Sequence, residues 1–244
     1  MGIKLLKEGE IGWGLMVENE GSISTTFHKN VALLSEQKIN GKFDLTKPVY
    51  VYATLQKYGV ENRNGRVYPE AVLKREVERY QDVINRNASF NELDHPAEST
   101  ISLKGGSPHR VVQMFWEGNT LIGKLEILVS RGYRDSGIIS CDGDLAAHYL
   151  DYGMTLGISS RAVGSLKKVN GQNIVDDDLE LICFDLVTSP STPGSYLYSD
   201  LKDKSAYDEV LPAANDKAKT NKSDSFSGQN DVMNRLNNFL NKSN

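Results

Sequence analysis

Histidine and cysteine are scarce in this 244-residue chain, which has four histidines (His28, His95, His109 and His148) and two cysteines (Cys141 and Cys183). Two cysteines are too few for a disulfide scaffold or a zinc cluster. Neither they nor the histidines fall at metal-ligand spacing, so no metal and no cofactor is expected. No apolar run approaches the roughly 20 residues of a membrane-spanning helix. The opening "MGIKLLKEGEIGWGLMVENEG" lacks the basic-flanked apolar core of a secretory signal, and its Met-Gly start lacks the Ser or Thr that myristoylation favours. Positive charge is not in excess either: 28 Lys and Arg stand against 32 Asp and Glu, a formal net charge of −4. These absences argue against membrane association and against direct nucleic-acid binding, which normally needs a basic stripe. A reducing cytoplasm is the simplest setting.

The apolar fraction, 39%, is low for a fully compact chain of this length, so part of the sequence is expected outside the core. Residues 1–45 are mixed and Gly-rich without sustained period, and read as a peripheral arm with one short strand. "PVYVYATLQ" (Pro48 to Gln56) is dense in β-branched and aromatic residues and predicts a strand. After the polar loop "YGVENRNGRVYP", the segment "EAVLKREVERYQDVIN" carries Val72, Leu73, Val77, Tyr80, Val83 and Ile84 at helical spacing, with Pro69 in the first turn. "RVVQMFWEGNTLIGKLEILV" predicts a hairpin across "EGN". "DGDLAAHYLDYGM" predicts a short helix, with Asp142 or Asp144 near its N-cap and Gly153 near its end. "TLGISSRAVGSLKKVNGQNIV" predicts a strand turning at Asn170-Gly171, and "DLELICFDLVTSP" a further strand stopped by Pro190. The whole suggests an α+β barrel or sandwich over residues 46–198. Residues 199–244 are polar and predict a flexible tail. Within it Val232, Met233, Leu236, Phe239 and Leu240 fall on one face of a short amphipathic helix suited to docking.

Three segments carry groups that could do chemistry: "NELDHPAEST", "LGISSRAVGS" and "LICFDLVTSPSTPGS". A serine hydroxyl needs an imidazole to take its proton and a third group to orient that imidazole. His28 and His109 read as surface residues and His148 as helix packing, which leaves His95, in a turn before Pro96, as the candidate base. Ser159 and Ser160 are adjacent on a predicted strand and so face opposite sides; only one can meet His95. Arg161 shares the face of Ser159, and its bland reading is an ion-paired arginine. Asp185 is the one acid in its apolar run, costly to bury without a partner such as an imidazole or an arginine. No Gly-x-Ser-x-Gly elbow is present. The run "VDDDLE" reads as a solvated hairpin end.

Read together, "ENRNGRVYP", "NELDHP", "GISSRAVGSL" and "FDLVTSPSTPGS", in this order over roughly Val49 to Ser195, resemble the prohead core proteases of large tailed bacteriophages. The resemblance implies a herpesvirus-protease-like fold: a β-barrel of mostly antiparallel strands surrounded by helices. It implies a serine endopeptidase of the assembling prohead, in the host cytoplasm. Phage scaffold and capsid precursor proteins would be its partners and substrates, and a homo-oligomer is expected. His95 would be the base, Ser159 the nucleophile and Asp185 the orienting acid. Ser160 and Arg161 would be candidates for the oxyanion and substrate-binding region, chiefly through backbone N–H groups. The family's habit of cutting after an apolar-x-Glu tripeptide makes Glu8 (Leu6-Lys7-Glu8) the first candidate for self-cleavage and Glu36 (Leu34-Ser35-Glu36) the second, with residues 1–45 an autoinhibitory arm. The competing readings are a non-enzymatic capsid or scaffold assembly protein, an esterase using the same three residues, and a thiol nucleophile at Cys141 or Cys183.

Overall fold

The fold is organised by one long strand that gathers three others. In the computed structural model, which describes Leu6 and residues 12–17, 38–39, 42–43, 46–96 and 98–198, β8 (Gly157–Val169) carries antiparallel partners on both edges. β10 (Glu180–Val187) pairs with residues 157–163, β1 (Gly12–Val17) with 161–166, and β9 (Gln172–Val175) with 166–169. The short β5 (Arg66–Val67) adds to β9 in parallel. A second sheet has the order β11–β4–β7–β6, with β4 (Val49–Lys57), β6 (His109–Glu117), β7 (Thr120–Ile127) and β11 (Leu197–Tyr198). β2 (Lys38–Ile39) and β3 (Lys42–Phe43) pair with each other. Among the described residues the helices are α1 (Glu70–Asn85), α2 (Arg131–Ser136) and α3 (Asp142–Asp151). The chain divides into units of residues 1–211 and 212–244, and every described residue lies in the first. The amphipathic face at Val232 to Leu240 lies outside the described residues.

The α+β class holds, but among the described residues the strands form separate open sheets and not the closed barrel that the resemblance implies. The two larger sheets pack through β4 against β8. Val51, Ala53 and Leu55 from one side, and Ile158, Ala162 and Leu166 from the other, join one core with α1. The helix forms where its apolar spacing requires. Pro69, extended at the N-cap, needs no N–H there, and Val72, Leu73, Val77, Tyr80 and Ile84 are buried on one face. The Asn170-Gly171 turn has φ of 51° and 85°, the paired left-handed conformation of a type I′ hairpin, and joins β8 to β9.

Two elements depart from expectation. Residues 12–17 are not peripheral: β1 lies along β8, with Leu15 and Met16 buried. The short helix α2 has one buried residue, Tyr133, and no apolar stripe to announce it; Ser130 caps its start and Gly137, at φ 69°, ends it.

Candidate active site

The site begins with strand register. In an antiparallel pair, directly opposed residues project from the same face. Asp185 of β10 opposes Ser159 of β8, and Cys183 opposes Arg161, so these four side chains share one face. The alternate residues, Ile158, Ala162, Phe184 and Leu186, enter the core. Ser160 goes with them, and its hydroxyl accepts a hydrogen bond from Gln56 Nε2 at 3.1 Å. The two serines are therefore separated as strand alternation requires. Gly157 lets this end of β8 lie against the chain that leaves β10: a Cβ there would meet Pro190 Cδ at 2.6 Å.

This register depends on a β-bulge. Leu181 opposes Ala162 and Cys183 opposes Arg161, so Ile182 is an extra residue. Without it, Asp185 would oppose Ile158 and turn to the face away from Ser159. Helix α1 braces the bulge. Buried Glu76 accepts the Leu181 N–H at 3.1 Å, and Arg75 donates to the Leu179 carbonyl at 3.1 Å.

His95 arrives from the segment that runs beside β10. Leu93 bridges Leu186, the Leu186 N–H donates to the Glu92 carbonyl at 3.0 Å, and the Asp94 N–H donates to the Leu186 carbonyl at 2.7 Å. Buried Asn91 anchors this segment: its Oδ1 accepts the Phe184 N–H at 3.0 Å and its Nδ2 donates to the His109 carbonyl at 3.1 Å. Asp94 turns the chain at φ 58°, a left-handed conformation that Asp tolerates better than most residues. Pro96 biases His95 toward an extended backbone. The result is a bond of 2.9 Å between His95 Nδ1 and Asp185 Oδ2, with both side chains almost fully enclosed (3% and 0% exposed). With Asp185 ionised, Nδ1 carries the proton and Nε2 presents a lone pair.

Among the described residues, two buried polar atoms of this cluster, His95 Nε2 and Ser159 Oγ, have no hydrogen-bond partner. Asp185, by contrast, is fully engaged. Its Oδ1 accepts the Glu92 N–H at 2.9 Å and the Cys183 thiol at 3.2 Å, and its Oδ2 lies 3.0 Å from Arg161 Nε. Burial and the Asp185 charge push the Cys183 thiol well up, so it stays protonated at neutral pH. Arg161, 0% exposed, also donates to the Glu92 carboxylate, to the Glu98 carbonyl at 2.9 Å and to Cys183 Sγ.

Of the sequence candidates, His95, Ser159, Asp185 and Arg161 converge here, while the Ser160 hydroxyl faces away. The Arg161 backbone is flanked on both edges, by Cys183 of β10 and Val17 of β1. Glu8 and Glu36 lie outside the described residues. Leu6, the first residue of the Leu6-Lys7-Glu8 tripeptide, is buried; its N–H donates to Leu15 and its carbonyl accepts from Arg66 Nη2 at 3.0 Å. Cys141 is not part of the β8–β10 face; it is the N-cap residue of α3. Among the described residues no three His, Cys, Asp or Glu side chains gather as a metal site, and no helix is long and apolar enough to cross a membrane. Sequence reasoning missed Glu92 and Asn91, although both stand in the "NELDHP" segment. It also took His109 for a surface residue, and the structure buries it completely.

An imidazole bonded on one nitrogen to a buried carboxylate, which also opposes a serine across the strand pair, offers the residue types that nucleophilic acyl transfer uses, on an α+β scaffold. Residues 13–205 match the family described as prohead core protein serine protease, and the chain belongs to that family. It is similar to the prohead core protein protease of Enterobacteria phage T4, with 29% identity over 153 residues that cover 61% of this chain and 68% of that protein. In fold it is similar to the bacteriophage T4 capsid assembly protease, with a TM-score of 0.55 at 22% identity over 72% of this chain and 98% of that one.

Proposed function

We propose that this protein is a serine endopeptidase of the phage prohead that cleaves internal scaffold and capsid precursor proteins, and itself, as the capsid matures. Family membership supports the class of activity. The observation that carries the residue assignment is the His95–Asp185 bond on the face from which Ser159 projects, with Nε2 and Oγ both left without partners among the described residues.

In this reading His95 Nε2 takes the Ser159 proton as Oγ attacks the scissile carbonyl. Asp185 fixes the imidazole in the tautomer that can accept it and stabilises the imidazolium that results. The proton then passes to the leaving amine, and water repeats the sequence to release the acyl group. Backbone N–H groups at this end of β8 would receive the oxyanion; those of Ser160 and Arg161, the sequence candidates, face paired strands and would have to give up sheet pairing to do so. The Ser160 hydroxyl is turned to the core and takes no part. Self-cleavage after Glu8 requires the buried Leu6 anchor to release first. Such a cut leaves β1 attached to the chain, whereas a cut after Glu36 severs it. The enzyme acts inside the assembling prohead, in the host cytoplasm.

The test is intact mass and N-terminal sequencing of wild type and Ser159→Ala after equal incubation, alone and with a phage scaffold protein added. Wild type shortens itself or the scaffold and Ser159→Ala does neither. Equal processing by both would overturn the assignment, and processing of neither, scaffold included, would favour an assembly protein without catalytic activity.

A further inference from the structure

Asp185 has two cationic suitors, and the structure has to keep one of them from neutralising it. Arg161 Nε lies 3.0 Å from Asp185 Oδ2, the same oxygen that holds His95. An arginine so placed, fully buried and permanently charged, opposes the very imidazolium that an acyl-transfer site must stabilise. Glu92 changes that balance. Its carboxylate receives Arg161 Nη2 on one oxygen and the Ser102 N–H at 3.0 Å on the other. Its backbone N–H meanwhile holds Asp185 Oδ1. Glu92 thus touches Arg161 through its side chain and Asp185 through its main chain, three residues before His95.

We propose that Glu92 is a positioning residue that engages the Arg161 charge and so leaves the negative charge of Asp185 available to His95. The inference rests on the proposed roles of His95 and Asp185. The charge count makes the point. Glu92, Asp185 and Arg161 together carry one net negative charge while His95 is neutral, and the cluster becomes balanced when His95 takes a proton. Without Glu92 the cluster is balanced before the reaction and carries a buried surplus cation during it, which a low-dielectric site disfavours.

Among the described residues no other group nearby supplies this charge. Cys183, between Arg161 and Asp185, is held protonated. Tyr80 of α1 is raised by burial and stays neutral. His109 of β6 is held neutral, its pKa lowered to about 4. Asp142, at the start of α3, is raised by burial and by the Glu92 charge, but it makes no bond to Arg161. Asp94 and Glu98 are exposed.

The test uses the full chain carrying Ser159→Ala, which removes proteolysis from the measurement, and follows the His95 ring resonances against pH by NMR. Adding Glu92→Gln moves the His95 titration about one pH unit lower than in the parent. Adding Arg161→Met instead moves it higher, since both carboxylates then face the imidazole alone. A His95 midpoint unchanged or raised in Glu92→Gln overturns the proposal. Should that variant lack a folded spectrum, a midpoint unchanged or lowered in Arg161→Met overturns it equally. The readout does not depend on cleavage, so a protein that shows these shifts yet cuts nothing, with Ser159 restored, defeats the protease reading and leaves the Glu92 coupling standing.

Discussion

His109 shows what a single misjudged side chain reveals. Its place after Pro108 suggests a strand entrance at the surface, yet it is 0% exposed. Burial lowers its pKa from 6.5 to about 4, against smaller opposing pulls from the Asp185 charge and from the Phe184 backbone. Between those values the unfolded chain binds a proton that the folded chain refuses. The contribution to stability is therefore full above pH 6.5 and is lost as pH falls toward 4, by up to about 3 kcal/mol. Urea unfolding at stepwise pH checks this. His109→Leu is expected to flatten the acid-side decline, and a decline equal to that of wild type would contradict it. At this scale His95 was legible because it is one of four histidines and precedes a proline, and Asp185 because it is an acid in an apolar run. The sequence reading also left an arginine or an imidazole as partners for Asp185, and the structure supplies both. The face on which His109 lies and the identity of the arginine that Glu92 engages depend on long-range pairing, to which local sequence is blind.

At the scale of elements, periodicity carried most of the information. The helix over Glu70–Asn85 coincides with the apolar spacing that predicts it, and the strands about Val49, Arg110, Thr120, Gly157 and Glu180 follow their β-branched and aromatic runs. The bulge at Ile182 was not legible, because a bulge is a property of two strands and of their register. The same reason hides the division into two open sheets. Glu76 is the clearest handle on the bulge. Glu76→Ala leaves the Leu181 N–H without its acceptor in a partly buried place, at a cost of roughly 1–3 kcal/mol. It is also expected to speed amide exchange selectively across β10, from Leu181 to Asp185. Glu76→Gln keeps an acceptor and loses less. Denaturant titration with hydrogen exchange by mass spectrometry checks both, and an exchange pattern no faster in β10 than elsewhere would contradict the bracing role.

The whole molecule joins a core of two packed sheets, a helix that braces the site strand, and an N-terminal strand that closes one edge of β8. Composition alone argued against classes of function without naming one. The functional reading came from four short segments in order, and the fold brings two of the reading's key residues, His95 and Asp185, into contact across 90 positions of sequence. The claim on which everything else depends is that Ser159 is the nucleophile and that His95 activates it. The most direct measurement is covalent labelling with a small fluorophosphonate, followed by peptide mass mapping of wild type and His95→Ala. One adduct is expected, on Ser159 in wild type and absent from His95→Ala. An adduct on any other residue, or scaffold cleavage that persists at full rate with Ser159 unlabelled, would contradict the account.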